Sequence, residues 1–133
     1  MKNILLMILL LAAVSMAAKI TIFTEKRIYG ISSDLEFTET DSSVEDKSRW
    51  EVDMDANCFV HNTNTGNVKQ STYWIDKSTI EDTDSGFTCM ATSDADITRR
   101  FYFLSNVVII VLETYEDDNR FCVVFPIKNI KFK

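Results

Sequence analysis

The feature that most constrains the fold is the order of three residues, Cys58, Trp74 and Cys122. Trp74 follows Cys58 by 16 residues, and Cys122 follows it by 64. In an immunoglobulin-like β-sandwich a disulfide joins the two sheets and a tryptophan packs against it, with this order and similar spacing. The spacing therefore predicts a sandwich core with a disulfide between Cys58 and Cys122.

The first residues predict an oxidising environment for these cysteines. An apolar run over residues 4–14 follows Lys2, and small residues follow the run at Ser15, Ala17 and Ala18. This is the pattern of a cleaved secretory signal peptide, and the run is too short to span a membrane. We expect a signal peptide over 1–18 and one secreted, extracellular domain over 19–133. Disulfides persist outside the cytosol.

Charge narrows the classes of partner. Without Lys2, 13 basic residues face 20 acidic ones in the domain, which gives a formal charge of −7 (13 − 20). A surface with this excess of acid repels polyanions. We therefore expect neither a nucleic acid nor a membrane as a partner.

The rest of the chain alternates between apolar and polar residues, with β-branched and aromatic residues in short runs, as β-strands do. Residues 107–112 are apolar on both faces, which suits a central strand. No internal repeat and no amphipathic helix of useful length is present. Strands are predicted at residues 20–24, 35–38, 50–61, 68–75, 86–92, 98–104, 107–114 and 120–125.

About eight short strands in one small domain indicate an all-β fold, either an immunoglobulin-like β-sandwich or a small lipocalin-like β-barrel. In the sandwich, residues 50–61 form strand B, 68–75 strand C, 107–114 strand E and 120–125 strand F. Arg120 stands where these sandwiches carry a corner tyrosine, two residues before the second cysteine. The sandwich is the principal prediction and the barrel is the alternative.

The third cysteine leaves the pairing open. Cys89 could replace Cys122 as the partner of Cys58. If Cys89 stays unpaired near a sheet edge, it could instead link two copies of the chain as a disulfide-bonded homodimer.

Alternation also predicts a binding face. If Trp74 and Cys122 point into the sandwich, their neighbours on strands C and F point outward. The result is an exposed apolar surface of the kind that marks protein interaction sites. The predicted protein-binding residues are Tyr73, Ile75, Phe121, Val123 and Phe125.

Two short segments resemble a known family. Tyr73-Trp74-Ile75 and the segment 120–133, which begins Arg-Phe-Cys-Val-Val, are similar to those of poxvirus interleukin-18-binding proteins. These viral proteins are small secreted immunoglobulin-fold decoys that serve immune evasion by capturing a host cytokine. The resemblance implies a cytokine-binding function, with Tyr73 as an aromatic anchor.

A second resemblance supports the alternative fold. Residues 111–116, Val-Leu-Glu-Thr-Tyr-Glu, followed by 121–125, resemble the Thr-Asp-Tyr strand signature of lipocalins. This resemblance implies an eight-stranded barrel that carries a small apolar ligand.

Catalysis and metal binding find little support in the sequence. His61 is the only histidine, and the expected turn around it offers no partner for nucleophile activation. One histidine and three cysteines with structural roles do not make a zinc site. Asp53, Asp55 and Asn57 match the start of a calcium loop, but Cys58 occupies its glycine position. We expect no enzyme activity, no metal and no cofactor.

Overall fold

The computed structural model describes residues 19–33, 36–39, 43–63, 69–115 and 119–132. The predicted signal peptide, 1–18, lies outside the described residues. All the regular secondary structure of the described residues is β, in nine strands. These are β1 (Lys19–Ser33), β2 (Glu36–Glu39), β3 (Val44–Asp53), β4 (Cys58–Thr63), β5 (Lys69–Thr83), β6 (Gly86–Ser93), β7 (Thr98–Leu104), β8 (Val107–Thr114) and β9 (Arg120–Phe132).

Eight of these strands close into an antiparallel barrel. The strand order is β1-β3-β4-β5-β6-β7-β8-β9, and β9 pairs back to β1, with Ile22 opposite Ile130 and Gly30 opposite Cys122. The short strand β2 pairs with the end of β1 outside this ring. Closure satisfies the backbone groups of both edge strands, which an open sheet leaves unpaired. The barrel was the alternative prediction, and it fits the structure better than the immunoglobulin-like sandwich.

The difference begins at the strand predicted over residues 50–61, which is a hairpin in the structure. β3 ends at Asp53, a tight turn occupies 54–57, and β4 begins at Cys58. The Asp53 carboxylate accepts a hydrogen bond from the Ala56 amide at 3.1 Å, and Asn57 has a φ of 51°, which asparagine tolerates better than most residues. Trp50 therefore lies directly opposite His61 instead of eleven residues along the same strand.

The turn changes which residues face inward. Along β3 the even-numbered side chains from Asp46 to Val52 are buried, whereas on β4 the buried side chain is Phe59 and its companion is His61. Because Val52 lies opposite Phe59, the inward side chains are even-numbered on β3 and odd-numbered on β4. Cys58, an even-numbered residue of β4, therefore faces out of the barrel. A one-residue change of register moves every side chain of a strand to the other face.

Aromatic rings fill the middle of the barrel. Trp50, Phe59 and Phe101 are fully buried. The Phe59 ring lies 4.8 Å from that of Phe101 and 4.9 Å from that of Tyr73, and Trp50 lies 5.1 Å from Phe125. Ring pairs at these separations add about 0.5–1.5 kcal/mol each beyond the area that they bury. The core is therefore one continuous aromatic cluster.

Two glycines mark places where backbone or a ring approaches closely. A Cβ at Gly86 would collide with the carbonyl oxygen of Phe103, and a Cβ at Gly30 would collide with the ring of Phe37. Phe37 on β2 therefore folds across Gly30 on the outside of the barrel. This contact holds β2 against the outer surface near β9.

Candidate functional site

The interior of the barrel leaves little room for a ligand. Beside Phe87 and Phe103 the remaining void is about 10 Å³, room for one water molecule at most. Pockets that hold small molecules measure about 300–1,000 Å³. The rings of Trp50, Phe59 and Phe101 occupy the space in which a carrier barrel would hold its ligand.

Four of the five predicted protein-binding residues belong to this interior, so their predicted orientation is wrong. Ile75, Val123 and Phe125 are buried, Tyr73 packs on Phe59, and Phe121 stacks on Tyr29 with ring centroids 6.0 Å apart. Trp74, which was predicted to be in the core, is 56% exposed. The predicted sets of residues do share faces, but the two faces are exchanged, because the cysteine and tryptophan spacing assigned Trp74 and Cys122 to the core.

The cysteines do not form the predicted pairs, and all three are free. Cys58 and Cys122 both face outward, on β4 and β9, which are separated by β1 and β3. Three strand spacings are roughly 14 Å, whereas a disulfide needs Cα atoms within about 7 Å. The alternative pair of Cys58 with Cys89 fails too, because Cys89 points into the barrel.

Cys89 is also unsuited to link two copies of the chain. It is fully buried instead of lying at an edge, and burial raises the pKa of its thiol to about 12. The pKa values of Cys58 and Cys122 are raised by burial as well, and Asp53 adds to the effect at Cys58. A disulfide through Cys89 would require the barrel to open.

A polar network occupies the end of the barrel near the start of β3. Asp46 is buried and accepts hydrogen bonds from Ser48 at 2.6 Å and Thr63 at 2.7 Å, and it forms an ion pair with Arg27 at 3.0 Å. These partners hold the pKa of the Asp46 carboxyl below its usual range, although burial alone would raise it. The network allows a carboxylate to stay ionised inside the barrel.

His61 completes this network. Its Nε2 lies 2.9 Å from the Ser48 hydroxyl, and its ring stacks on Trp50 with centroids 3.7 Å apart. Because the Ser48 proton is donated to Asp46, His61 must donate from Nε2, as a neutral imidazole does. Burial lowers the pKa of His61 to about 4. The sequence indicated a solvated turn histidine, but His61 is a partner in the core.

The network holds serine, histidine and aspartate but does not activate a nucleophile. Activation requires the histidine to accept the serine proton and the carboxylate to orient the histidine. Here the Ser48 proton goes to Asp46, and Ser48 is only 5% exposed. The arrangement stabilises one end of the barrel instead.

The candidate site is an apolar groove on the outer surface of β7, β8 and β9. The registers place Tyr102 opposite Ile109 and Ile109 opposite Val124, and a second row places Val111 opposite Cys122. These side chains point away from the core. The groove has a volume of about 420 Å³, and we call it the outer groove; its lining residues are Ser32, Phe37, Tyr102, Leu104, Ile109, Val111, Arg120, Cys122 and Val124.

Phe37 forms one wall of the outer groove. Its ring stays 41% exposed although it lies on Gly30, next to buried Cys122. A polar pair also lines the groove, in which Arg120 donates to the Tyr102 hydroxyl at 3.1 Å. An apolar floor bordered by polar and aromatic side chains is the composition of a recognition groove.

A depression of about 410 Å³ adjoins the outer groove. Val111 and Arg120 line both, and Arg100 lines the depression. The outer groove and the depression form one continuous surface. Its cationic end lies beside its apolar floor.

Another groove, of about 610 Å³, crosses the outer surface of β1 and β3. Its cations are already engaged: Lys128 pairs with Glu25 at 2.7 Å, Arg49 with Glu51 at 3.4 Å, and Lys131 lies over the Phe23 ring. Exposed pairs of this kind contribute little to stability. The cations of this surface therefore already have partners within the chain.

Comparisons with known proteins do not assign the chain to a family. No protein-family model matches the chain, and neither a curated protein nor a solved structure is significantly similar to it. In the part of the chain that the structure describes, no three or more His, Cys, Asp or Glu side chains are grouped to hold a metal ion. No helix long and apolar enough to cross a membrane occurs among the described residues.

The sequence carries a signal for the outer groove in the strand that is apolar on both faces. Residues 107–112 are apolar on both faces, which predicted a central strand covered on both sides. In the barrel, Val108 and Ile110 face the core, while Ile109 and Val111 form the floor of the groove. Phe37 lies in the strand predicted at 35–38, but nothing in the sequence indicated that its ring would lie on Gly30.

Proposed function

We propose that the protein binds a segment of another extracellular protein in the outer groove. The observation that carries this proposal is the row of apolar side chains on the outside of a barrel whose interior is already filled. Outward apolar residues that do not serve the core mark interaction surfaces when they are contiguous. The predicted function, capture of a protein ligand, is kept, and its site moves from the core residues to the groove.

Within this class of partners, a host cytokine such as interleukin-18 is the first to test. It is the ligand of the proteins that the chain resembles at residues 73–75 and 120–133. Tyr73 is not offered as an anchor for it, because this side chain packs against Phe59 and Phe101 inside the barrel. The anchors proposed instead are Phe37, Ile109 and Val124.

The test is a binding measurement against immobilised interleukin-18 and a panel of purified extracellular cytokines. We expect the double variant Ile109→Ser, Val124→Ser to bind at least tenfold more weakly than the natural chain, about 1.4 kcal/mol. Its matched control is Val60→Ser, which removes the same kind of side chain from an outer position beyond the groove. Equal affinity of the groove variant and the natural chain would contradict the proposal.

The barrel itself favours a second candidate, a carrier of a small apolar ligand. Because the interior is filled, such a ligand would bind in the outer groove, whose volume of about 420 Å³ falls within the range of small-molecule pockets. An apolar fluorophore distinguishes the two candidates. Tight, stoichiometric fluorophore binding that Ile109→Ser, Val124→Ser abolishes, without any protein partner, would favour the carrier.

A further inference from the structure

Two arginines beside the outer groove form no ion pair with a carboxylate of the described residues, although acidic residues outnumber basic ones by 20 to 14. Arg100 donates from Nη1 to the Thr88 hydroxyl at 3.1 Å, and Arg120 donates from Nη1 to the Tyr102 hydroxyl at 3.1 Å. Both acceptors are neutral. The ion pairs among the described residues involve other cations, namely Arg27, Lys47, Arg49 and Lys128.

The strand registers bring these two arginines to the same part of the surface. Arg100 lies opposite Val111, and Val111 lies opposite Cys122, so the three form one outward row. Arg120 precedes Cys122 by two residues and reaches back across this row to Tyr102. Both arginines line the depression beside the outer groove. Arg99 lines it as well, and these three arginines outnumber the one acidic lining residue, Glu113, so the depression favours a bound anion.

The hydroxyl partners orient the guanidinium groups without neutralising them. Thr88 donates its own proton to the carbonyl oxygen of Phe101 at 2.8 Å, which leaves its oxygen to accept from Arg100. Each guanidinium has five N–H donors, so most of them stay available for a ligand. Oriented guanidinium groups bind carboxylates with paired hydrogen bonds. Glu113 also lines the depression but forms no ion pair with either arginine among the described residues.

We propose that the bound protein segment carries a carboxylate side chain next to its apolar anchors, and that Arg100 and Arg120 receive this carboxylate. The inference rests on the proposed function, because it names the chemistry of the partner of the same groove. Val111 and Arg120 line both the depression and the groove, so one segment can occupy the two together. The charge of the arginines selects an acidic partner segment.

The geometry also gives a spacing. Alternate side chains of an extended segment lie about 6.6–6.8 Å apart on one face. Arg100 and Tyr102 are likewise alternate residues of β7 on its outer face. A segment that lies along the strands would place Asp or Glu two positions from an aliphatic or aromatic residue.

The test selects a phage-displayed library of random linear peptides on the immobilised protein. We expect the selected peptides to share an Asp or Glu two positions from an apolar residue. A synthetic peptide of this sequence should bind the variant Arg100→Gln, Arg120→Gln at least tenfold more weakly than the natural chain. The matched control is Arg49→Gln, Lys131→Gln, which removes the same charge from another outer surface and should change the affinity less than twofold.

A double-mutant cycle links the carboxylate to the arginines. Replacing the acidic residue of the peptide by its amide should weaken binding to the natural chain, but have little further effect on the Arg100→Gln, Arg120→Gln variant. Additive losses would overturn the inference. Circular dichroism and thermal melts of each variant check that the barrel is folded.

The outcomes separate this inference from the proposed function. If the selected peptides lack acidic residues, and only the Ile109→Ser, Val124→Ser variant binds them more weakly than the natural chain, the inference is overturned. The groove would then remain a protein-binding site. Laurate, a fatty acid with one carboxylate, is the probe for a small amphiphilic ligand. Laurate binding that depends on both arginines, with no peptide selected, would overturn the inference in favour of such a ligand. Failure to select any peptide that depends on the groove, with no laurate binding, would overturn both.

Discussion

Acid should destabilise this barrel, and His61 should be the main cause between pH 6.5 and 4. The pKa of His61 falls from 6.5 to about 4 on folding because its ring is buried against Trp50. Arg27 contributes to the depression, and Asp46 opposes it. The folded state therefore binds a proton less readily than the unfolded state does.

The sign and size follow from proton linkage. Where the unfolded chain binds more protons, the free energy of unfolding increases with pH. The contribution of His61 is thus fully present above pH 6.5 and is lost as the pH falls toward 4. A shift from 6.5 to about 4 corresponds to about 3 kcal/mol in all, at about 1.4 kcal/mol per pH unit. Asp46, whose pKa is also lowered, adds a loss at still lower pH.

The assay is urea unfolding at several pH values from 7.5 to 4.5, for the natural chain and for His61→Gln. Glutamine can donate a hydrogen bond to Ser48 but does not titrate. We expect the free energy of unfolding of the natural chain to fall steeply below pH 6.5, and that of His61→Gln to fall by about 2–3 kcal/mol less over the same range. Parallel pH profiles for the two chains would refute the account of His61.

Three further predictions test the core, the thiols and a close backbone contact. Trp50→Ala should lower the free energy of unfolding by about 3–5 kcal/mol, and Trp74→Ala by less than about 0.5 kcal/mol, in urea titrations; similar losses would contradict the orientation of β5. In thiol alkylation followed by mass spectrometry, Cys58 should be modified first and Cys89 only after denaturant is added, with three free thiols in all. A disulfide-linked peptide would contradict this. Gly86→Ala should lower the melting temperature, at a cost of about 1–3 kcal/mol, because its methyl group meets the Phe103 carbonyl.

The extents of several strands could be predicted from the sequence. The predicted strands at 98–104 and 107–114 match β7 and β8 in full, and 86–92 matches β6 to within one residue. These strands have dense β-branched and aromatic residues, with turn residues at both ends. Alternation also grouped the residues of each face correctly along single strands such as β9.

The inward face could not be predicted, because alternation does not say which of two faces is buried. The cysteine and tryptophan spacing supplied that choice, and it selected the wrong face. The turn at 54–57 preserved the alternation, so nothing in the pattern indicated a hairpin between Trp50 and His61. The outer groove depends on this assignment, since Ile109 and Val111 form a binding surface only if Val108 and Ile110 face the core.

The polar network was missed for a related reason. Its members come from three strands, and only the registers of β1 with β3 and of β3 with β4 bring Arg27, Asp46 and His61 together. Each residue alone looks like an ordinary surface residue of a strand or loop. Pairings between distant segments are not visible in local sequence patterns.

The central claim is that residues 50–61 form a hairpin of a closed barrel with Trp50 inside. The most direct test is a nuclear Overhauser effect between the indole protons of Trp50 and the imidazole protons of His61. The barrel predicts a strong signal, because the two ring centroids lie 3.7 Å apart. In a single straight strand these residues would lie roughly 36 Å apart, at about 3.3 Å per residue, and a spectrum of the folded protein with assigned rings but no such signal would contradict the account.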